Sequence, residues 1–196
     1  MAAGRSSPSA RERLLAAADE LFYRHGIAAT GVDSILQLAG ASPATLYAHF
    51  TGKDALVAAY LERRHHRWRA VWDEVLARTR DPVERLLSVL DALALFRERA
   101  GSTRGCAVLA ASAELPAVGH PARAWVDADT NLLHSRLREL ANAAGADHPD
   151  ALVAEMLLIY DGTLASFARE ISDPIASARE LAGHAVSRHL WPATSS

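Results

Sequence analysis

Cysteine is almost missing from this chain. Cys106 stands alone among 196 residues, which excludes an internal disulfide and any zinc site built from cysteines. The nine histidines show no metal-ligand spacing, so neither a metal nor a cofactor is expected. Charged residues make up 22% of the chain and aromatic residues 6%, while 50% is hydrophobic. That balance supports a sizeable core and argues against disorder. Long apolar runs are lacking as well. Stretches such as residues 156–160 fall far short of the roughly 20 apolar residues that span a bilayer. Residues 1–9 are small and polar with one arginine, unlike a secretory signal. The expectation is a cytoplasmic chain with no membrane partner.

A strong charge of one sign is also lacking. The net charge of −2 argues against a generic nucleic-acid binder, but its distribution says more. Residues 1–80 hold 11 Lys+Arg against 8 Asp+Glu, a balance of +3, and residues 81–196 hold 10 against 15, a balance of −5. A basic end that meets phosphate and an acidic end that does not would look like this, as would many plain domains.

What is present reads as helix throughout, with no convincing strand alternation and no internal repeat. Ser9 and Glu12 form a capping box, followed by Leu14, Ala18, Leu21 and Phe22 at helical spacing, and Gly26 stops the helix. Thr30 can cap a second helix carrying Val32, Ile35, Leu36 and Ala39, which Gly40 ends. Ser42-Pro43 is an N-cap with proline at the first helical position. Only two turns fit before the break at residues 51–54. A long helix is expected over residues 53–79, then helices from Asp81-Pro82, over "CAVLAASAEL", over 121–144, over 150–171 and from Asp173-Pro174 to about 190.

The two-turn helix raises the functional question. Projected at about 100° per residue, Leu46 and Phe50 share an inner face. Ala44, Thr45 and Ala48 lie opposite, with Tyr47 and His49 at their flanks. A helix this short is unstable alone and must be held by the preceding two. Helix, tight glycine turn and short helix with a polar outer face is the helix-turn-helix arrangement. In that arrangement Ala44, Thr45 and Ala48 would face the floor of a major groove, small enough to approach base edges and thymine methyls. Tyr47, His49, Lys53 and Thr30 would reach phosphates. The residues alone equally allow one more tight turn in a helical bundle.

Two runs bear on that choice: "AADELFYRHGIAATGVDSI" and "AGASPATLYAHFTGKDAL". With Gly26, Thr30, Val32, Ile35, Ala39, Gly40, Leu46, Tyr47, Phe50, Lys53 and Leu56 at these spacings, residues 11–61 resemble the DNA-binding domain of the tetracycline-repressor (TetR) family of transcriptional regulators. "RGCAVLAASAEL", "HPARAWV" and "LLIYDGTLASF" resemble one branch of it. The resemblance implies an all-α fold, with a three-helix helix-turn-helix domain over 1–52 and an effector-binding and dimerisation domain over 53–196. It implies a homodimer on double-stranded palindromic operator DNA, most often a repressor. Thr30, Thr45, Tyr47, His49 and Lys53 match phosphate contacts, and Pro43, Ala44 and Ala48 match base contacts. Ser42, at the start of the reading helix, belongs to the same surface. Departures are Gly52 in place of a Ser or Asn cap and the absence of Arg, Gln or Asn on the groove face. Sequence preference is then left to thymine methyls, an N-terminal arm with Arg5 and Arg11, or DNA shape.

In the remainder, the helix over 150–171 is apolar on more sides than one core needs. It is expected to form a four-helix dimer interface with the last helix. Trp68, Trp72, Phe96, Cys106, Asp129, Tyr160 and Phe167 are the candidate effector-site residues for a small lipophilic ligand, and plain core is the competing reading. Asp129 and Arg136 fall in the apolar arc of the 121–144 helix and need a partner, a ligand or water. A cationic ligand would suit Asp129 unless Arg136 neutralises it. Arg104 beside Cys106 could make it a redox sensor, against its reading as a small hydrophobe. Arg63, Arg64, Arg67 and Arg69 with His65 and His66 read as a solvated face. No Gly-rich phosphate loop, nucleophile–base pairing or metal motif appears, so no enzyme is expected. An enzyme using Asp129, Glu114 or Cys106, and an interaction protein without DNA binding, are the alternatives.

Overall fold

The computed structural model describes residues 7–100, 105–116 and 118–190. These residues form nine helices and, among them, no strand: α1 Ala10–His25, α2 Val32–Ala39, α3 Pro43–His49, α4 Lys53–Arg78, α5 Pro82–Ala100, α6 Ala107–Glu114, α7 Arg123–Ala143, α8 Pro149–Ala168 and α9 Pro174–Leu190. The fold is all-α, as the periodicity predicts. The chain divides into two compact units, residues 1–64 with 107–126, and residues 65–106 with 127–196. α4 and α7 each contribute residues to both.

In the first unit α1 opens on the expected capping box. Ser9 Oγ accepts the Glu12 N–H at 3.2 Å, and the Glu12 carboxylate accepts the Ser9 N–H at 2.8 Å. Leu14, Leu15, Ala18 and Phe22 bury one side of the helix. Gly26 ends it at φ 88°, a left-handed value that favours glycine. A side chain there would also meet the Glu114 carboxylate at 3.0 Å, and that carboxylate accepts the Ala28 N–H at 2.7 Å. The last residue of α6 thus holds the turn that leads into α2.

Thr30 differs from expectation. The cap position of α2 is Gly31, with no side-chain bond. Thr30 is buried and donates its hydroxyl to the Gly26 carbonyl at 2.7 Å, with the Leu21 carbonyl 3.3 Å away. It braces the turn from inside. Gly40 takes the left-handed conformation at φ 57°, and the Ala41 N–H reaches the Leu36 carbonyl at 3.0 Å, closing α2 in a Schellman-type turn. α3 then starts at once, with Ser42 Oγ accepting the Thr45 N–H at 3.2 Å.

The first part of α4 is tied to α1 by Asp19, whose carboxylate accepts from Arg63 and Arg64 at 2.9 Å each. Arg64 also lies over the Tyr23 ring at 5.0 Å. Arg63, Arg64 and the buried His65 therefore do not form a solvated face. Sequence spacing within α4 shows their directions but not the carboxylates that meet them from other helices.

In the second unit Trp72, Leu86, Leu90, Leu137, Leu152 and Met156 are fully buried. Trp72 Nε1 donates to Ser88 Oγ at 3.1 Å, and Ser88 donates onward to the Arg85 carbonyl at 2.6 Å. α8 packs on α9, and α9 on α5, where Arg179 reaches Asp91 at 2.6 Å and also pairs with Glu84. α8 stops at Ala168, short of the expected 171, because Glu170 adopts φ 57°. By length and composition α8 meets the standard of a membrane-crossing helix, with a mean hydropathy of 1.4 over its best window. Short unbroken runs of apolar residues understated this. Leu152, Met156, Tyr160 and Leu164 fill the unit's core, while Ala151, Ala154, Leu158, Gly162 and Ala165 stay outside.

Leu46 is the one buried residue within α3. Leu46→Ala should cost about 2–5 kcal/mol in urea unfolding. A loss below about 1 kcal/mol would show that α3 is anchored elsewhere.

Candidate nucleic-acid interface

α3 is seven residues long, too short to persist without its neighbours. Its inner side is Leu46, continued by Phe50 just beyond its end, both buried. That burial turns Ser42, Pro43, Ala44, Tyr47, Ala48 and His49 outward, with Thr45 half-buried. Tyr47 is 64% exposed, a large aromatic ring left in water beside two alanines. Ser42 Oγ and Thr45 Oγ1 lie 2.9 Å apart. One of the two hydroxyl hydrogens bridges them, which leaves the other free to donate outward.

Lys53 is half-buried at the start of α4. The first intrahelical bond there is from the Leu56 N–H to the Gly52 carbonyl at 3.2 Å, so the N–H groups before it point out of the helix end, where anions are favoured. Arg11 belongs to α1 and not to a free arm; its guanidinium lies over the Phe50 ring at 5.4 Å. Arg5 lies outside the described residues. The surface therefore gathers two hydroxyls, a phenol, an imidazole, a lysine and an arginine around small residues. Hydroxyls, amines and helix N-termini of this kind bind phosphate, and alanines admit base edges and thymine methyls. Thr30 is not part of this surface, because its hydroxyl is spent on the turn.

The candidate effector residues belong to the second unit. Trp68 lies 5.6 Å from Trp72, 5.8 Å from Phe96 and 6.0 Å from Tyr160, between ring centroids. Phe167 and Cys106 pack on the same core, half-buried, and the Arg97 guanidinium lies 3.6 Å from the Phe167 centroid. Arg104 lies outside the described residues. Asp129 is buried and meets His65 Nδ1 at 3.3 Å. Arg136 does not neutralise it. Arg136 pairs with Asp73 at 2.7 Å and lies over the Trp72 ring at 4.8 Å. An open groove of about 840 Å³ is lined by His65, Arg69, Asn131, His134, Arg138 and Asp150 among others, and includes none of the seven candidate effector residues. Among the described residues no three His, Cys, Asp or Glu side chains come together to hold a metal ion.

Burial raises the Asp129 carboxyl above its usual 3.8, with the His65 bond opposing. Ionised Asp129 therefore costs stability. That cost is absent well below the usual value and fully present above the raised one. Asp129→Asn should gain on the wild type as pH rises through this window in urea unfolding; a pH-independent difference would contradict it. On the DNA side, Lys53→Ala should flatten the slope of log K against log salt by about one unit. An unchanged slope would show that Lys53 neutralises no phosphate.

Similarity to known proteins follows this geometry. The family described as "Bacterial regulatory proteins, tetR family" matches residues 14–60. An uncharacterized HTH-type transcriptional regulator of Mycobacterium tuberculosis is 30% identical in an alignment of 204 positions, gaps included, that covers 92% of this chain and 94% of that one. A solved TetR-family transcriptional regulator from Streptomyces coelicolor has a TM-score of 0.83 at 29% identity, over 93% of this chain and 96% of its own. The regulatory protein TetR from Rhodobacter sphaeroides gives 0.74 at 26%, over 89% and 98%. Head and remainder alike are shared, and the chain belongs to the TetR family of DNA-binding transcriptional regulators.

Proposed function

We propose that this regulator is a repressor that binds a palindromic operator as a homodimer in the cytoplasm, and that a small lipophilic ligand releases it. In this reading residues 1–52 read DNA, and residues 53–196 bind the effector and dimerise. The observation that carries it is the outer face of α3, where Ala44, Ala48 and the exposed Tyr47 stand on a helix whose only buried residue is Leu46. Pro43, Ala44 and Ala48 approach the bases. Ser42, Thr45, Tyr47, His49 and Lys53 hold phosphates. Such a face fits groove recognition and offers no catalytic grouping, so we take the chain for a binding protein and not an enzyme.

Dimerisation is supported by α8 and α9. Leu158 is 74% exposed and Leu181 58% exposed, and a Cβ at Gly162 or Gly183 would meet nothing. Small residues and large aliphatic ones on the outside of two packed helices suit a four-helix interface across a two-fold axis. Release is supported by α4, a single helix that starts at Lys53 and carries Trp68 and Trp72. A ligand lodged against those rings acts on the helix that begins in the contact surface. It changes DNA affinity only as far as it favours one state over the other, about tenfold per 1.4 kcal/mol.

A two-fold dimer should protect an inverted repeat with half-site centres about 34–36 Å apart, or a multiple. Footprinting on DNA flanking the gene tests this, and a single asymmetric site would contradict it. Leu158→Glu combined with Leu181→Glu should yield monomers in light scattering and weaken operator binding. A dimer that survives both substitutions places the interface elsewhere. Deleting the gene should raise expression from the bound promoter; a fall would make the regulator an activator.

A further inference from the structure

The second unit holds two tryptophans one turn apart on α4, and the fold treats them differently. Trp72 is fully buried, and its indole N–H donates to Ser88 Oγ at 3.1 Å. Trp68 is only 5% exposed, and its Nε1 is shielded from solvent with no acceptor among the described residues. A buried N–H left unpaired is costly and uncommon in native proteins. In this unit one other buried side-chain nitrogen among the described residues shares that condition, Arg136 Nη1. Both neighbour the same ring. Trp68 lies 5.6 Å from the Trp72 centroid, and the Arg136 guanidinium lies over Trp72 at 4.8 Å.

The groups around Trp68 sharpen the picture. Phe96 and Tyr160 pack on it at 5.8 and 6.0 Å, so the surroundings of the unpaired donor are apolar and aromatic. Burial holds the Tyr160 hydroxyl well above its usual value of 10.0. It stays protonated and able to donate. Among the described residues the buried carboxylate is Asp129, which already faces His65 at 3.3 Å. The site therefore has donors in surplus and its acidic group occupied.

From this placement we infer that the effector is an apolar molecule carrying a hydrogen-bond acceptor, received by the Trp68 indole N–H, and not a cation drawn to Asp129. The inference rests on the effector site proposed above and names the chemistry it selects. The acceptor is a ketone, ether or ester oxygen, or a carboxylate if Arg136 also takes part. Aromatic and aliphatic carbon supplies the rest of the contact with Phe96, Tyr160 and Trp72. A site built with buried donors discriminates strongly against analogues without the matching group, because the donor is then left unpaired.

Four probes of nearly one shape test it on the full-length protein without DNA, by calorimetry: naphthalene, naphthyl methyl ketone, naphthoate and naphthylmethylammonium. The ketone or naphthoate should bind about tenfold more tightly than naphthalene, the size of one well-made hydrogen bond. The ammonium should bind no better than naphthalene. A preference for naphthoate over the ketone assigns Arg136 a share. Trp68→Phe should abolish the acceptor preference while leaving naphthalene affinity within a few-fold. A readout that needs no variant is the set of four tryptophan indole resonances. One of them should move downfield with the ketone and not with naphthalene. Equal affinity for ketone and naphthalene, tighter binding of the ammonium, no binding of any probe, or an acceptor preference that survives in Trp68→Phe would each overturn the inference. A ketone that binds with the expected preference yet leaves operator affinity unchanged would refute release by the ligand and leave this inference standing.

Discussion

The structure depends on one constraint: α3 cannot exist by itself. Seven residues make two turns, and such a helix is unstable in water without tertiary support. Its support is Leu46, fully buried, with Phe50 just beyond. Everything before it serves that contact. The Ser9–Glu12 capping box fixes where α1 begins. Thr30, bonded inward to the Gly26 carbonyl, and Glu114, bonded to the Ala28 N–H, fix the turn into α2. Gly40, in the left-handed region, fixes the turn out of it. Once Leu46 is pinned, the 3.6-residue period leaves Ala44, Tyr47 and Ala48 no direction but outward. A surface of small residues can then lie close to a flat or grooved partner, because the backbone beneath it is held.

In the second unit the governing feature is how polar groups are placed in an apolar core. Trp72 has Ser88 and Asp129 has His65. Trp68 Nε1 has no counterpart among the described residues. α8 adds a second asymmetry. Its inner residues Leu152, Met156 and Leu164 are buried while Leu158 stands in solvent, so its overall hydropathy exceeds what the interior of one chain consumes. These two excesses are a donor inside and an apolar face outside.

Much of this was legible in the sequence, and the reason is local. The capping box, Gly26, Gly40, Ser42-Pro43 and the spacing of Ile35, Leu36, Leu46 and Phe50 are signals carried by neighbours within a few residues. Helix positions and the outward set on α3 therefore followed from periodicity and turn chemistry. What was not legible depended on contacts distant in sequence. Thr30 reads as a cap because threonine favours that position, but its hydroxyl is taken up by the Gly26 and Leu21 carbonyls. Arg63 and Arg64 read as solvated because no pattern within α4 reveals Asp19. Arg136 reads as a neutraliser of Asp129 on the same helix, yet Asp73 and His65, both on α4, divide that pair between them. α8 ended early because Glu170 turned left-handed, which no local propensity requires.

The central claim is that α3 enters DNA with its alanine face, twice, about a two-fold axis. The most direct test places a cleavage reagent on that face. Ala48→Cys in a Cys106→Ser background, carrying a tethered iron chelate, would cut bound DNA wherever residue 48 lies. The account predicts two cleavage clusters of equal strength within the protected site, symmetric about its centre and about one helical turn or a multiple apart. A single cluster, or a protected site with no cleavage near residue 48, would contradict it.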